Sequence, residues 1–178
     1  MKQEYAVTKK LAVVVLISGG GSNLQAIINA MHHHDLPIEI RAVISNKGTA
    51  YGLERARRAN IPAHTLNHTD FPDRISYSRA LQELIDNFKP ELVVLAGFMR
   101  ILPKAFVDHY MGRMLNIHPS LLPEFSGLHT HQRALKANAP EHGASVHFVT
   151  NELDGGPLII QAHVPVHKED TVETLAER

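Results

Sequence analysis

Leu11-Ala-Val-Val-Val-Leu-Ile17 runs directly into Ser18-Gly-Gly-Gly-Ser-Asn23. The first stretch is an unbroken apolar run, which reads as a strand covered on both faces. The second is a glycine loop. Beyond Ser22, the residues Leu24, Ile27, Ile28 and Met31 recur at the i, i+3, i+4, i+7 spacing of an amphipathic helix. The same alternation continues along the chain. A strand is predicted near Ile38 to Ile44, a helix over Tyr51 to Ala59, and a short strand after Pro62. Asp73 opens a longer helix whose inner face is Ala80, Leu81, Leu84, Ile85 and Phe88. Pro90 stops it, and Glu91 to Phe98 is the next strand. Strand alternating with helix means right-handed crossovers and a mostly parallel, doubly wound, Rossmann-like α/β sheet. The last third differs. It holds a strand ending near Ile117, a proline-marked loop, a short helix near His131 to Ala137, and strands near Ser145 to Val149 and Leu158 to Val164. This is an antiparallel C-terminal portion. Ligands of such sheets bind in the loops beyond the strands' carboxyl ends, here Ile17, Leu95 and Ile117.

Composition narrows the function. Of 178 residues, 44% are apolar, enough for a real core. Lys and Arg balance Asp and Glu at 18 each, so no net field favours nucleic acid or an anionic membrane. There is no cysteine, which excludes a thiol nucleophile, a disulfide and a thiolate metal site. No apolar run is long enough for a transmembrane helix. Lys9-Lys10 before Leu11 to Ile17 has the outline of a short signal peptide. The apolar part is minimal and starts a regular strand–helix alternation, so a cytoplasmic location is expected. A single domain spanning 1–178 is expected. No linker, repeat or low-complexity tract interrupts it.

The glycine loop lets backbone approach a ligand closely and turns free N–H groups of a helix start toward an anion. Gly21, Ser22 and Asn23 are the candidate phosphate-binding residues. The same residues also serve a flexible turn with Ser22 as N-cap. Two nucleotide signatures fail here. A Walker loop needs Gly-Lys-Ser or Gly-Lys-Thr. A dinucleotide fingerprint needs a glycine where Leu24 stands and an acid where Ser45-Asn46-Lys47 stands. A lone phosphate monoester fits better. Further on, Asn116 and His118 lie two apart at a strand end, on one face. An amide N–H and an imidazole side by side can donate to one oxygen, which is an oxyanion site. A turn contact and a surface histidine are the plainer reading. Leu153-Asp-Gly-Gly-Pro157 is an acidic turn that can hold a carboxylate at fixed height. Of the 13 histidines, His32-His33-His34 suits a helix C-terminus, and no His-x-x-x-His pair falls on one helix. No metal is expected. His147 either borders the site or packs in the core.

Four motifs occur together and in order: Ile17-Ser-Gly-Gly-Gly-Ser-Asn23, Leu95-Ala-Gly-Phe-Met-Arg-Ile-Leu102, Leu115-Asn-Ile-His-Pro-Ser-Leu-Leu-Pro123 and Leu153-Asp-Gly-Gly-Pro157. From Leu11 onward the chain resembles the glycinamide ribonucleotide formyltransferases. The Asn-x-His and Leu-Asp-Gly-Gly-Pro elements are shared with other folate formyltransferases and related hydrolases. The glycine loop and Gly127-Leu-His-Thr-His131 point to the ribonucleotide enzymes. The resemblance implies formyl transfer from 10-formyltetrahydrofolate, as co-substrate, to the amine of glycinamide ribonucleotide in purine synthesis. It implies Asn116, His118 and Asp154 as the catalytic trio, and Gly21, Ser22 and Asn23 as the phosphate site. It also implies a folate site from Arg74, Met99, Arg100, Ile101, Leu102 and Asn116, with Thr150, Asn151, Glu152 and Leu153 as the opposite wall. The N-terminal half would then hold phosphate, and the C-terminal half folate and the chemistry. Two rivals are a hydrolase or transferase with another acceptor, and a nucleotide-binding module without catalysis. Glu169-Asp170-Thr171 caps a last predicted helix through Val172, Leu175 and Ala176. Family members continue that helix, so it is expected to be cut short and the ribonucleotide site to lack one wall.

Overall fold

The computed structural model describes residues 9–33 and 36–178, so His34 of the histidine run lies outside the described residues. These residues fall into two compact units that part between Arg100 and Ile101.

In the first unit, β1 (Leu11–Ile17), β2 (Ile38–Ser45), β3 (Ala63–Thr65) and β4 (Leu92–Leu95) form a parallel sheet in the order β3-β2-β1-β4. β1 lies between two partners, with Val13 facing Ile40 on one side and Leu92 on the other. Val13 to Ile17 are almost wholly buried, as the apolar run required. α1 (Ser22–His32) follows β1 and buries Leu24 and Ile28, each worth roughly 1.5–3 kcal/mol of burial. α2 (Tyr51–Arg58) packs against α1, and α3 (Arg74–Asn87) buries Tyr77, Ser78, Leu81 and Ile85. Asp73 caps α3 as expected, its carboxylate accepting the Ser76 N–H at 2.7 Å. Two details differ from the sequence reading. β4 is four residues long because Gly97 takes φ +78° and turns the chain out of the sheet. Ser22 is the first helical residue of α1, and the N-cap is Gly21, in the left-handed region without a capping side chain.

In the second unit, β5 (Met114–His118), β6 (Glu141–Phe148) and β7 (Leu158–Pro165) run antiparallel in that order. The parallel body and antiparallel C-terminal portion read from the sequence are both present. α4 (Lys104–His109) precedes β5 and buries Phe106 and Val107; the sequence reading left this segment unassigned. α5 (Thr130–Lys136) and α6 (Val172–Glu177) complete the unit. A reciprocal Thr171–Thr174 capping box opens α6, and Asp170 pairs with Arg178 at 2.6 Å. The β5–β6 register sets Asn116 opposite His147 and His118 opposite Ser145. Among the described residues no helix is long and apolar enough to cross a membrane.

Candidate active site

The first unit carries a cavity of about 260 Å³ lined by Ser18 to Asn23 with Ala96, Gly97 and Met99. Gly21, Ser22 and Asn23 therefore share one hollow with Met99. The start of α1 faces it without a capping side chain, so its first N–H groups remain available to an anion. Ser18 frames the hollow. Its buried hydroxyl donates to Asn46 Oδ1 and accepts the Met99 N–H at 2.8 Å. Arg74 is exposed at the start of α3. Arg100 is half-buried, and its Nε lacks a partner among the described residues.

The second unit gathers Asn116, His118 and Asp154, and adds His147. His118 Nδ1 lies 3.5 Å from Asp154 Oδ1, with both side chains more than nine-tenths buried. The other ring nitrogen, Nε2, lies 3.2 Å from the Phe125 carbonyl. A carbonyl and a carboxylate both only accept, so an imidazolium satisfies both partners and a neutral ring only one. Asp154 is held in place by its own backbone and by a donor. It sits at φ +53°, a region aspartate tolerates better than most residues, and its Oδ2 accepts the Gly127 N–H at 2.9 Å.

His147 decides how Asn116 is oriented. Its Nδ1 is 2.9 Å from the Phe148 carbonyl, which fixes the proton on Nδ1. In the neutral ring Nε2 is then an acceptor, and the Asn116 amide nitrogen donates to it at 3.1 Å. The network thus assigns Asn116 with its N–H₂ toward His147. His147 Nε2 also lies 3.9 Å from Asp154 Oδ1, so the Asp154 carboxylate stands near both imidazoles. Sequence reasoning left His147 between two roles. The signal that places it is the antiparallel register with Asn116, which no local pattern carries.

The remaining expected residues scatter more. Met99 and Ile101 are 60% and 64% exposed, Leu153 is 67% exposed, and Leu102 is half-buried. Thr150 makes a local turn contact with Glu152. The Asn151 side chain is turned to α4, where it donates to Asp108 at 2.8 Å. His131 and His142 meet edge to face with ring centroids 5.0 Å apart, and burial pushes both imidazoles toward the neutral form. Those residues contain no group of three or more His, Asp or Glu placed to hold a metal ion.

The first unit thus carries a glycine-lined hollow at the start of a helix, and the second an amide and two imidazoles near a buried carboxylate, the kinds of group an enzyme uses. The chain belongs to the formyl transferase family, which matches residues 11–178. It is 58% identical over 166 residues to the phosphoribosylglycinamide formyltransferase of Escherichia coli (strain K12), covering 93% of this chain and 78% of that one. It is 46% identical over 170 residues to the trifunctional purine biosynthetic protein adenosine-3 of Homo sapiens, covering 96% of this chain and 17% of that one. The solved glycinamide ribonucleotide transformylase 1 of Symbiobacterium toebii superposes with a TM-score of 0.94 at 42% identity, covering 99% of this chain and 83% of that one.

Proposed function

We propose that the protein transfers the formyl group of 10-formyltetrahydrofolate to the primary amine of glycinamide ribonucleotide, a step of purine biosynthesis in the cytoplasm. The observation that carries this reading is the buried pairing of His118 with Asp154, beside the hydrogen bond of Asn116 to His147. It has donors for one oxyanion and a carboxylate to stabilise positive charge, and it needs no covalent bond between substrate and protein.

In this reading the substrate amine attacks the formyl carbon on N10 of the folate. The carbonyl π pair moves to oxygen and a tetrahedral oxyanion forms. Asn116 N–H and His118 Nε2–H donate to it, the oxyanion replacing the Phe125 carbonyl as the acceptor for His118. Asp154 stabilises the cationic imidazole and aligns a water. The amine proton passes through that water to N10, the C–N10 bond breaks, and the products are the formylated amide and tetrahydrofolate. Holding both substrates together supplies much of the acceleration. The N–H groups of Gly21, Ser22 and Asn23 take the phosphate. In the second unit the exposed apolar side chains of Ile101 and Leu153 suit a flat pterin, and in the first Met99 is exposed and apolar too and Arg74 suits a folate carboxylate. No step calls on a metal, a nucleic acid or a membrane.

The test is formyl transfer from 10-formyltetrahydrofolate to glycinamide ribonucleotide, with water as the control acceptor. Rapid, ribonucleotide-dependent release of tetrahydrofolate is expected. Release at the same rate without the ribonucleotide would make the protein a hydrolase and overturn the assignment of the acceptor.

A further inference from the structure

Three arginines stand in the second half of α2, and they divide into two groups. Arg57 and Arg58 turn to Glu54, at 3.9 and 2.9 Å, and Arg58 also donates to the Tyr51 hydroxyl at 3.3 Å. Arg55 turns the other way, onto the glycine loop. Its Nε donates to the Gly20 carbonyl at 2.8 Å, and a terminal nitrogen donates to Gln25 Oε1 at 3.2 Å. The guanidinium lies over the Tyr51 ring, 5.0 Å from its centroid, which fixes its plane. One turn earlier, the Gly52 N–H donates to the Gly19 carbonyl at 3.0 Å. α2 therefore holds two successive loop carbonyls.

A trans peptide sets its N–H opposite its C=O. Drawing the Gly19 and Gly20 carbonyls to α2 turns the Gly20 and Gly21 N–H groups to the opposite side. The contact depends on backbone lying against backbone. A Cβ on Gly52 would come within 2.4 Å of Ile17 Cδ1, and one on Gly21 would come within 2.7 Å of Gly52 Cα. A glycine in a helix costs about 1 kcal/mol relative to alanine, so its place in the first turn of α2 needs such a reason.

We infer that Arg55, with the Gly52 N–H, is a positioning residue for the substrate phosphate: it touches the loop carbonyls and so aims the loop amides at the anion. This rests on the reading of Gly21 to Asn23 as the phosphate site. Arg55 acts on the loop before any ligand arrives, and its charge adds to the attraction from behind.

Steady-state kinetics on the full chain tests it, with glycinamide ribonucleotide and 10-formyltetrahydrofolate varied separately. Arg55→Met should raise KM for the ribonucleotide about tenfold, the scale of one lost charged hydrogen bond, with kcat and the folate KM within about twofold. Arg55→Lys, which keeps one donor and the charge, should recover part of the loss. Arg58→Met removes the same charge from the same helix and should change neither KM. Asn23→Ala tests the underlying reading and should raise the ribonucleotide KM as well. If Asn23→Ala raises it and Arg55→Met does not, the positioning role is wrong and the phosphate site stands. If neither raises it, the phosphate reading falls and takes this inference with it. Equal effects of Arg55→Met and Arg58→Met would reduce Arg55 to bulk charge and overturn the positioning role. So would a parallel rise in both substrates' KM on Arg55→Met.

Discussion

Asp154→Asn isolates charge from shape. Asparagine matches aspartate in size and is among the residues that tolerate the left-handed backbone found at φ +53°. Its side-chain oxygen can keep the Gly127 N–H bond, which is 2.9 Å in the native protein. What disappears is a negative charge 3.5 Å from His118 Nδ1 in a nearly solvent-free setting. At an effective dielectric of about 20, a charge pair at that distance is worth about 5 kcal/mol. Part of this acts in the ground state, where the carboxylate already orients the ring. The part realised in the transition state should fall within the roughly 10²- to 10⁴-fold range of general acid–base catalysis, so a loss of about 10³ in kcat is expected. Both KM values should stay within about threefold and the melting temperature within a few degrees. Release of tetrahydrofolate under saturating substrates is the assay. His118→Asn and the double variant complete a cycle, and the two losses should overlap rather than multiply, since the residues work as a unit. A folded Asp154→Asn enzyme within tenfold of wild type would refute the pairing of carboxylate and imidazole as the source of rate.

Other perturbations probe the surroundings. His147→Phe removes the acceptor that orients the Asn116 amide and should lower kcat about tenfold with little change in KM; His147→Gln, whose oxygen can accept the same bond, should recover activity. If kcat is unchanged in His147→Phe, the amide is held by something else. Burial disfavours protonation of His131 and His142, so below about pH 6.5 the unfolded chain takes up protons that the folded protein resists. Stability from these groups is therefore present above that pH and lost on acidification toward their lower folded values. Thermal melts between pH 7.5 and 5.5 should show a shallower loss in His142→Phe; parallel curves would deny His142 a part. Dialysis against a chelator should leave the transferase rate intact, because the oxyanion donors proposed above are an amide and an imidazole; loss of activity restored by a stoichiometric metal would overturn that mechanism.

The sequence shows most of what is periodic. The apolar run at Leu11, the i, i+3, i+4 stripe after Ser22 and the Asp73 cap are local patterns, and each reappears as an element. α4 escaped because six residues barely display a period. β4 was drawn too long because Ala96-Gly97-Phe98 looks extended until a positive φ turns it. The candidate site is legible where its side chains sit on one strand, as with Asn116 and His118. It is illegible where register or long-range packing assembles it. His147 meets Asn116 only through antiparallel pairing across 31 residues, and Arg55 meets Gly20 across 35. The Asn151 side chain was placed on the folate wall by motif. Its contact with Asp108 depends on α4, which the motif does not contain.

The uncapped start of α1 bears on how this protein can evolve. Serine, threonine, aspartate or asparagine at the N-cap stabilises an ordinary helix by about 1 kcal/mol over alanine and by a few tenths over glycine, and selection for heat resistance commonly finds such changes. Here that route is closed. Each of those residues carries a Cβ, which at position 21 would lie 2.7 Å from the Gly52 backbone while the chain sits at φ +72°. Lineages under thermal pressure would have to gain stability elsewhere, on helix surfaces or in loops remote from the cavity, and leave this helix end as it is. If phosphate binds there as proposed, it takes the place of the missing cap, so the melting temperature should rise with phosphate ester concentration by simple mass action.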